Sequence, residues 1–267
     1  MIFDSHAHYD DEAFDEDRDE LLKSFADNHI EGAINIGASM ESAKQSVLLA
    51  HKYEYIYAAV GVHPSETAEL TEQDMEWIKT HAINDSKVVA IGEIGLDYYW
   101  PEPKREIQKK WFERQLELAR EVKLPCSIHS RDAQKDTEDM MKACHADEMG
   151  GVIHCYSYSK ESARAYLDMG LYFGIGGVVT FKNGRKMKEV VEYIPIDRIL
   201  LETDSPYLSP EPNRGKRNSS LNIVYIAKQI AEIKGIDYNQ VIAITNQNTK
   251  QLFKRISMTL ADKPMQN

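Results

Sequence analysis

Eight times along this chain an apolar, β-branched run gives way to a charged amphipathic run, and that alternation limits the possible folds more than any other feature. The apolar runs occupy residues 2–8, 32–37, 56–63, 88–94, 125–129, 151–154, 171–179 and 198–204. An apolar run followed by an amphipathic one reads as a βα unit, in which a strand buried on both faces is covered by the helix that follows it. The intervening segments carry the helical period: over residues 104–122, Trp111, Gln115, Leu118 and Val122 recur along one face. An open doubly wound sheet would show the same alternation, but its glycine-rich turn after the first strand is absent, and the first run ends in histidines instead. The reading is therefore an α/β fold, a (β/α)8 TIM-type barrel. Additional C-terminal helices are expected from about Leu221 and from about Tyr238, the latter capped by Asp237 and Gln240. No Pro/Gly/Ser linker or low-complexity tract interrupts the pattern, so residues 1–267 read as one domain.

With 42% hydrophobic residues the chain has material for a large core. No stretch approaches the roughly 20 apolar residues of a membrane span, and the acidic start lacks the basic and apolar blocks of a secretory signal. A cytoplasmic protein without membrane association or an obligate protein partner is expected. Cys126, Cys144 and Cys155 form neither a CxxC pair nor an even set, so buried free thiols are expected. A net charge of −11 repels phosphates at long range, so a phosphate-bearing substrate needs a local positive site.

The chemistry gathers at the ends of the apolar runs. His6 and His8 are separated by one residue, and on a strand that spacing directs both imidazoles to one face as a chelating pair. Glu93, His129, His154 and Asp204 each lie at or near the end of another such run. In a parallel barrel that end is the C-terminal rim, where catalytic groups are assembled. Imidazoles and carboxylates gathered in a fold's interior cost free energy unless they are paired or bind a cation. The six donors exceed what one tetrahedral ion needs, and a carboxylate can bridge two ions about 3.5 to 4 Å apart. Two divalent cations are expected, with Zn, Mn and Ni as the candidates that imidazole ligands favour. Asp4 shares the parity of His6 and His8 and either orients an imidazole or is a satisfied polar group inside the barrel.

The blocks FDSHAHYD, GVHP, IGEIGLDYY, IHSRDA, VIHCYS and LLETDSPYL, in this order, resemble the signature of the TatD family of metal-dependent deoxyribonucleases, within the amidohydrolase-like barrels. The resemblance runs from Ile2 to the C-terminal helices. It implies a metal-dependent hydrolase barrel in which His6, His8 and Asp204 hold one metal, His129 and His154 the other, and Glu93 bridges them. It also implies DNA as substrate, with 3′-5′ exonuclease action as one form of the activity, and Mg as a further candidate ion. One departure lies after Pro212: where the family often reads RGKRNEP, this chain has Arg214-Gly215-Lys216-Arg217-Asn218-Ser219-Ser220.

The expected catalytic residues are Asp204, as base towards a water activated by the metals, and Glu93. His63, Arg131 and Arg217 are candidate substrate contacts. His63 either touches substrate or caps its strand, and Arg131 pairs with a phosphate or with a neighbouring carboxylate. Lys182, Arg185, Lys186 and Lys188 read as a solvated helix face, whereas Arg214, Lys216 and Arg217 read as phosphate contacts. Tyr98-Tyr99-Trp100 either stacks a base or walls the pocket, the wall being preferred. The acidic run 10–20 lacks calcium-loop spacing and reads as a helix N-terminus. Two competing readings are a metal-dependent amidohydrolase or esterase acting on a small substrate, and a metal-dependent binding module without catalysis.

Overall fold

The computed structural model describes residues 1–261; residues 262–267 of the expected 1–267 unit lie outside the described residues. Eight parallel strands follow one another around a single sheet in chain order. They are β1 (Ile2–Ala7), β2 (Ile30–Ile36), β3 (Ile56–Val60), β4 (Val88–Asp97), β5 (Cys126–Arg131), β6 (Gly151–Ile153), β7 (Tyr172–Ile175) and β8 (Ile199–Leu201). Each connection is helical. Those that bear on the site are α1 (Arg18–Lys23), α2 (Met40–Lys52), α3 (Glu72–Asn84) and α4 (Arg105–Val122). The others are α5 (Gln134–Ala143), α6 (Ala146–Met149), α7 (Lys160–Asp168) and α8 (Arg185–Tyr193). This is the expected TIM-type barrel. No helix among the described residues is long and apolar enough to cross a membrane.

Closure between β8 and β1 uses little ladder and much side-chain bonding. Ala7 bridges Ser205, Asp204 N–H donates to His6 C=O at 2.9 Å, and His8 N–H donates to Ser205 C=O at 2.8 Å. Asp4, wholly buried, accepts from Thr203 N–H at 3.0 Å and from the hydroxyls of Thr203 and Ser220 at 2.6 Å each. Asp4 thus ties the first strand to the segment after the last, and takes the second of its two expected roles. At the other mouth, Leu252, Phe253 and Ile256 pack with Phe3, Ile34, Tyr57, Val89 and Leu200 in one buried cluster. Three C-terminal helices follow, α9 (Ile223–Lys234), α10 (Tyr238–Leu252) and α11 (Lys254–Ala261); the last two supply that plug, and Asp237 and Gln240 form the expected capping box on α10.

Helix α4 does more than cover the sheet. Trp111, Gln115 and Leu118 are buried along its inner face, with Val122 half-buried. Gln115 accepts from Val62 N–H at 2.8 Å and donates to Val62 C=O at 3.1 Å. About two turns earlier, Gln108 does the same for Asp97, at 2.8 and 2.9 Å. Two buried amides so satisfy backbone groups that the sheet leaves unpaired, and they fix the chain beside His63 and at the end of β4.

Several bounds differ from expectation. β4 runs on to Asp97, so Glu93 sits within the strand rather than at its end. β7 ends at Ile175, because Gly177–Thr180 winds into a 3-10 turn where a side chain at 177 would collide with Leu208 C=O. β8 stops at Leu201, leaving Asp204 in the following turn at φ 57°. The acidic run forms a 3-10 turn at Glu12–Phe14 and leads into α1 with Asp17 at its N-cap. Asp10 accepts from Asn35 at 2.7 Å and from Ser42 at 2.5 Å, a structural anchor. Only Cys126 is a buried thiol; Cys144 and Cys155 are half-buried, which corrects the expectation for those two.

Candidate metal centre

The ligand-capable side chains rise from five different strands to one rim. His6 lies in β1 and His8 just past it, Glu93 in β4, His129 in β5, His154 one residue beyond β6 and Asp204 three beyond β8. His6 Nε2 and His8 Nε2 face each other at 3.1 Å. Glu93 Oε2 lies 3.5 Å from the first and 3.9 Å from the second, and Asp204 Oδ1 lies 3.8 and 3.5 Å from them. Four donors bound at about 2.1 Å to one tetrahedral ion are separated by about 3.4 Å. His6, His8 and Glu93 therefore stand close enough together to share one ion, with Asp204 Oδ1 beside both imidazoles.

A second group shares the other oxygen of Glu93. His129 Nδ1 is 2.9 Å and His154 Nε2 is 3.7 Å from Glu93 Oε1, and His154 Nε2 is also 3.7 Å from Asp204 Oδ1. The donor atoms thus fall into two groups that meet at the two oxygens of Glu93, each with at least three residues able to ligate a metal.

The far nitrogens of His8, His6 and His129 are hydrogen-bonded, and that of His154 faces a carboxylate at ion-pair distance. His8 Nδ1 donates to Ile36 C=O at 2.9 Å, which fixes the proton there and leaves the Nε2 lone pair for the cluster. His6 Nδ1 is 3.3 Å from Ser127 Oγ. His129 Nε2 is 3.1 Å from Asp97 Oδ2, and His154 Nδ1 is 3.2 Å from Glu202 Oε1. Carboxylates on the outer nitrogens of ligating histidines set tautomer and ring orientation and raise basicity. Glu202 is wholly enclosed; it accepts from Cys155 N–H at 2.6 Å and fits because Gly174 has no side chain, since a Cβ there would collide with Glu202 Oε2. Asp97, Glu202 and Ser127 were not singled out from sequence. The one available signal was parity: Asp97 lies four residues after Glu93 and Glu202 two before Asp204.

Electrostatics agree with the geometry. Burial opposes ionisation of Glu93, but the charges of His154 and His6 and the hydrogen bonds from His129 and His6 hold its carboxyl well below the usual range. Asp204 is likewise held low against burial, by His154 and then His8. Burial disfavours the imidazolium of His8, yet Asp204 and Glu93 lift it to about 9. His154 is raised against burial to about 10 by Glu202, Glu93 and Asp204. His6 moves down, through burial and the His154 ring stacked on it at 3.4 Å. The carboxylates keep their charge, and the pocket recruits positive charge to balance them.

A cleft of about 710 Å³ opens above this cluster, with Asp10, Asp11, Trp100, Arg131 and Tyr207 among its walls. His63 lines it too. Its Nδ1 accepts from Ser65 N–H at 3.1 Å, so it caps the 3-10 helix Pro64–Glu69, and its ring packs edge-on against His129 at 4.3 Å. Burial and the neighbouring His129 push the His63 imidazole down to about 3. Arg131 lies over the Tyr99 ring at 3.8 Å and is not among the ion pairs of the described residues. Arg217 is not brought to the cluster: it pairs with Asp17 at 2.5 Å and donates to Ala13 C=O at 2.6 Å, tying the loop after β8 to the N-cap of α1. Arg185 pairs with Glu189 on an exposed face of α8, as a solvated helix face requires. Arg214 covers the Phe181 ring at 4.2 Å.

Known proteins are similar to this chain along nearly its whole length. The family model described as TatD related DNase matches residues 3–254. A Bacillus subtilis protein named an uncharacterized metal-dependent hydrolase is 43% identical over 254 residues, covering 95% of this chain and 99% of that one. The 3′-5′ ssDNA/RNA exonuclease TatD of Salmonella typhimurium is 30% identical over 259 residues, with 95% and 99% covered. Among solved structures, a TatD homologue from Escherichia coli K12 matches with a TM-score of 0.89 at 28% identity, covering 95% of this chain and 98% of that chain.

Proposed function

The chain belongs to the TatD family of metal-dependent hydrolases, and we propose that it is a deoxyribonuclease that cleaves phosphodiester bonds at two divalent cations held on the barrel rim. The observation that carries this reading is the pair of donor groups meeting at the two oxygens of Glu93. In the proposed assignment His6 Nε2, His8 Nε2, Asp204 Oδ1 and Glu93 Oε2 hold one ion, and Glu93 Oε1, His129 Nδ1 and His154 Nε2 hold the other. Ligands so rich in imidazole suit Zn, Mn or Ni, and Mg is a further candidate that the family resemblance suggests.

Divalent ions at such a pair lower the pKa of water and neutralise charge that develops on a phosphoryl oxygen. The protein's own groups do the rest. The Asp204 carboxylate, kept ionised by His154 and His8, takes the proton of the attacking water. His63, with Nδ1 engaged by Ser65, presents Nε2–H as a neutral donor to a phosphate oxygen. Arg131 supplies a fixed positive charge on the cleft wall. Removal of a terminal nucleotide, in the manner of the Salmonella relative, is the form of activity this reading favours.

The test is degradation of end-labelled DNA by metal-stripped protein with Mg, Mn or Zn restored and Asp204→Asn in parallel. Metal-dependent cleavage lost in the variant is the expected result. No cleavage under any metal would refute the nuclease reading and leave small esters and amides as the substrates to try.

A further inference from the structure

At the mouth of the barrel opposite the rim lies a pocket of about 590 Å³ that shares no residue with the metal cleft. It is bounded by the end of α4, the end of α6, the start of β4 and the junction of α10 with α11. Its volume falls in the range of about 300 to 1,000 Å³ usual for small-molecule sites. Val89, Leu124 and Leu252 are buried and give it apolar walls, and the half-buried Met149 lines it too. Met258 completes this apolar part while 64% exposed, one of the most exposed apolar side chains among the described residues.

Charge distinguishes this pocket from the rest of the molecule. Arg120, Lys123, Lys254 and Arg255 line it against a single carboxylate, Glu148. The cleft at the rim has the reverse balance, with Arg131 beside Asp10, Asp11, Asp97 and Asp204, and the whole chain carries −11. Three of the four cations have a structural reason for their place. Arg120 stands in the last turn of α4 and Lys123 at its C-cap, where a cation offsets the helix dipole. Arg255 donates to the carbonyls of Ala82, Asp85 and Val88 at 2.8, 3.1 and 2.6 Å, tying α11 to the chain that leads into β4. Lys254 has no such reason. It occupies the first turn of α11, where the dipole favours an anion, and that turn holds no acid. Arg120, Lys123 and Lys254 form no ion pair among the described residues.

We propose that this pocket binds a small organic phosphate, whose phosphate group meets Arg120, Lys123 and Lys254 and whose planar or apolar body lies on Leu124, Leu252, Met149 and Met258. A phosphate monoester presents three acceptor oxygens and nearly two negative charges, enough for several cations at once, whereas a carboxylate has two oxygens and one charge. Glu148 offsets one of the four positive charges, and a single phosphate group balances most of what is left. The unbranched thioethers of Met149 and Met258 adapt their shape to a flat or irregular ligand. The site is separate from the reaction at the rim and does not depend on it.

The experiment titrates full-length protein calorimetrically with deoxyadenosine monophosphate, inorganic phosphate and deoxyadenosine, with the rim metals in place and again after chelation. Salt at about 0.15 M screens exposed charges beyond about 8 Å, so attraction without a pocket contributes little. The monophosphate should bind in both forms with a Kd below about 1 mM. Inorganic phosphate and the bare nucleoside should each bind at least about tenfold more weakly, since each engages only one part of the pocket. Lys123→Glu combined with Lys254→Glu should weaken monophosphate binding by at least about tenfold, with unchanged circular dichroism because both side chains are exposed. Arg120→Gln, which removes one charge without reversing it, should weaken it several-fold, and Arg131→Gln at the rim should leave it unchanged. Absence of saturable binding, an affinity unmoved by the paired charge reversal, or binding lost on chelation or in Arg131→Gln overturns the proposal. Equal affinity for inorganic phosphate and the monophosphate overturns the assignment of an organic ligand.

Discussion

Glu202→Gln removes one charge from a wholly enclosed side chain while keeping its shape, and it bears directly on how the second ion is held. In the structure Glu202 Oε1 accepts from Cys155 N–H at 2.6 Å and lies 3.2 Å from His154 Nδ1. The latter contact is an ion-pair distance without hydrogen-bond alignment, and Oε2 has no hydrogen-bond partner. The glutamine amide oxygen can still take the Cys155 N–H, so the fold should survive. What is lost is the negative charge that lifts His154 and holds Nδ1–H towards Glu202 and Nε2 towards Glu93. Outer-nitrogen partners of ligating histidines change metal affinity by roughly 10- to 100-fold. The expected loss is therefore about tenfold or more for one ion. The other should change little, because His8 and His6 are held by Ile36 and Ser127. Calorimetric titration of metal-free protein with Zn should show two affinities in wild type and one weakened in Glu202→Gln, with unchanged circular dichroism as the check on folding. Two ions bound at wild-type affinities, or weakening of both alike, would refute the assignment of His154 to a separate ion held through Glu202.

Three further outcomes follow from the same geometry. Asp204→Asn should lower kcat by about 100-fold or more with a smaller change in KM, as measured by steady-state cleavage of labelled DNA; equal losses in both would count against its role as base. Chelation should lower the thermal midpoint, since ligands that bind only the folded chain at about 1,000 times Kd stabilise it by about 4 kcal/mol; an unchanged midpoint would mean that no tight ion was present. Asp4 is raised by burial from 3.8 to about 6 in spite of hydrogen bonds from Ser220, Thr203 and His6. Below about pH 4 it is protonated folded and unfolded; between about 4 and 6 only the folded state keeps the proton, so stability falls as pH rises, by about 3 kcal/mol in all. Asp4→Asn should lack that decline, so thermal melts of the two proteins between pH 4 and 7 should diverge; parallel curves would show that Asp4 titrates normally.

The six proposed ligands were legible because each lies at or near the end of an apolar run, and the period of a strand brings His6 and His8 to one face without knowledge of the rest of the fold. Strand ends were read less well. Run-length reading stopped β4 at Ile94, where the apolar stretch yields to Gly95, yet the strand continues to Asp97 and places that carboxylate against His129. Glu202 was hidden for another reason. Its role depends on Gly174 leaving space and on His154 turning towards it, relations between β7, β6 and β8 that only the closed barrel creates.

Charge was the least legible property, and the reason is general. Sequence shows which residues carry charge but not which partner each one meets, and a cation that meets a carboxylate is no longer free to meet a substrate. Arg217 is 200 residues from Asp17 in the chain, and its guanidinium is spent on closing the β8 loop against α1. Arg185 is spent on Glu189 one turn along the same helix. Arg131, by contrast, lies over an aromatic ring and not on a carboxylate, so its charge still points into the cleft. With a net charge of −11 around it, one such residue cannot attract a polyanion from a distance. Binding must then be decided at short range, by the His/Glu/Asp cluster and the other walls of the cleft.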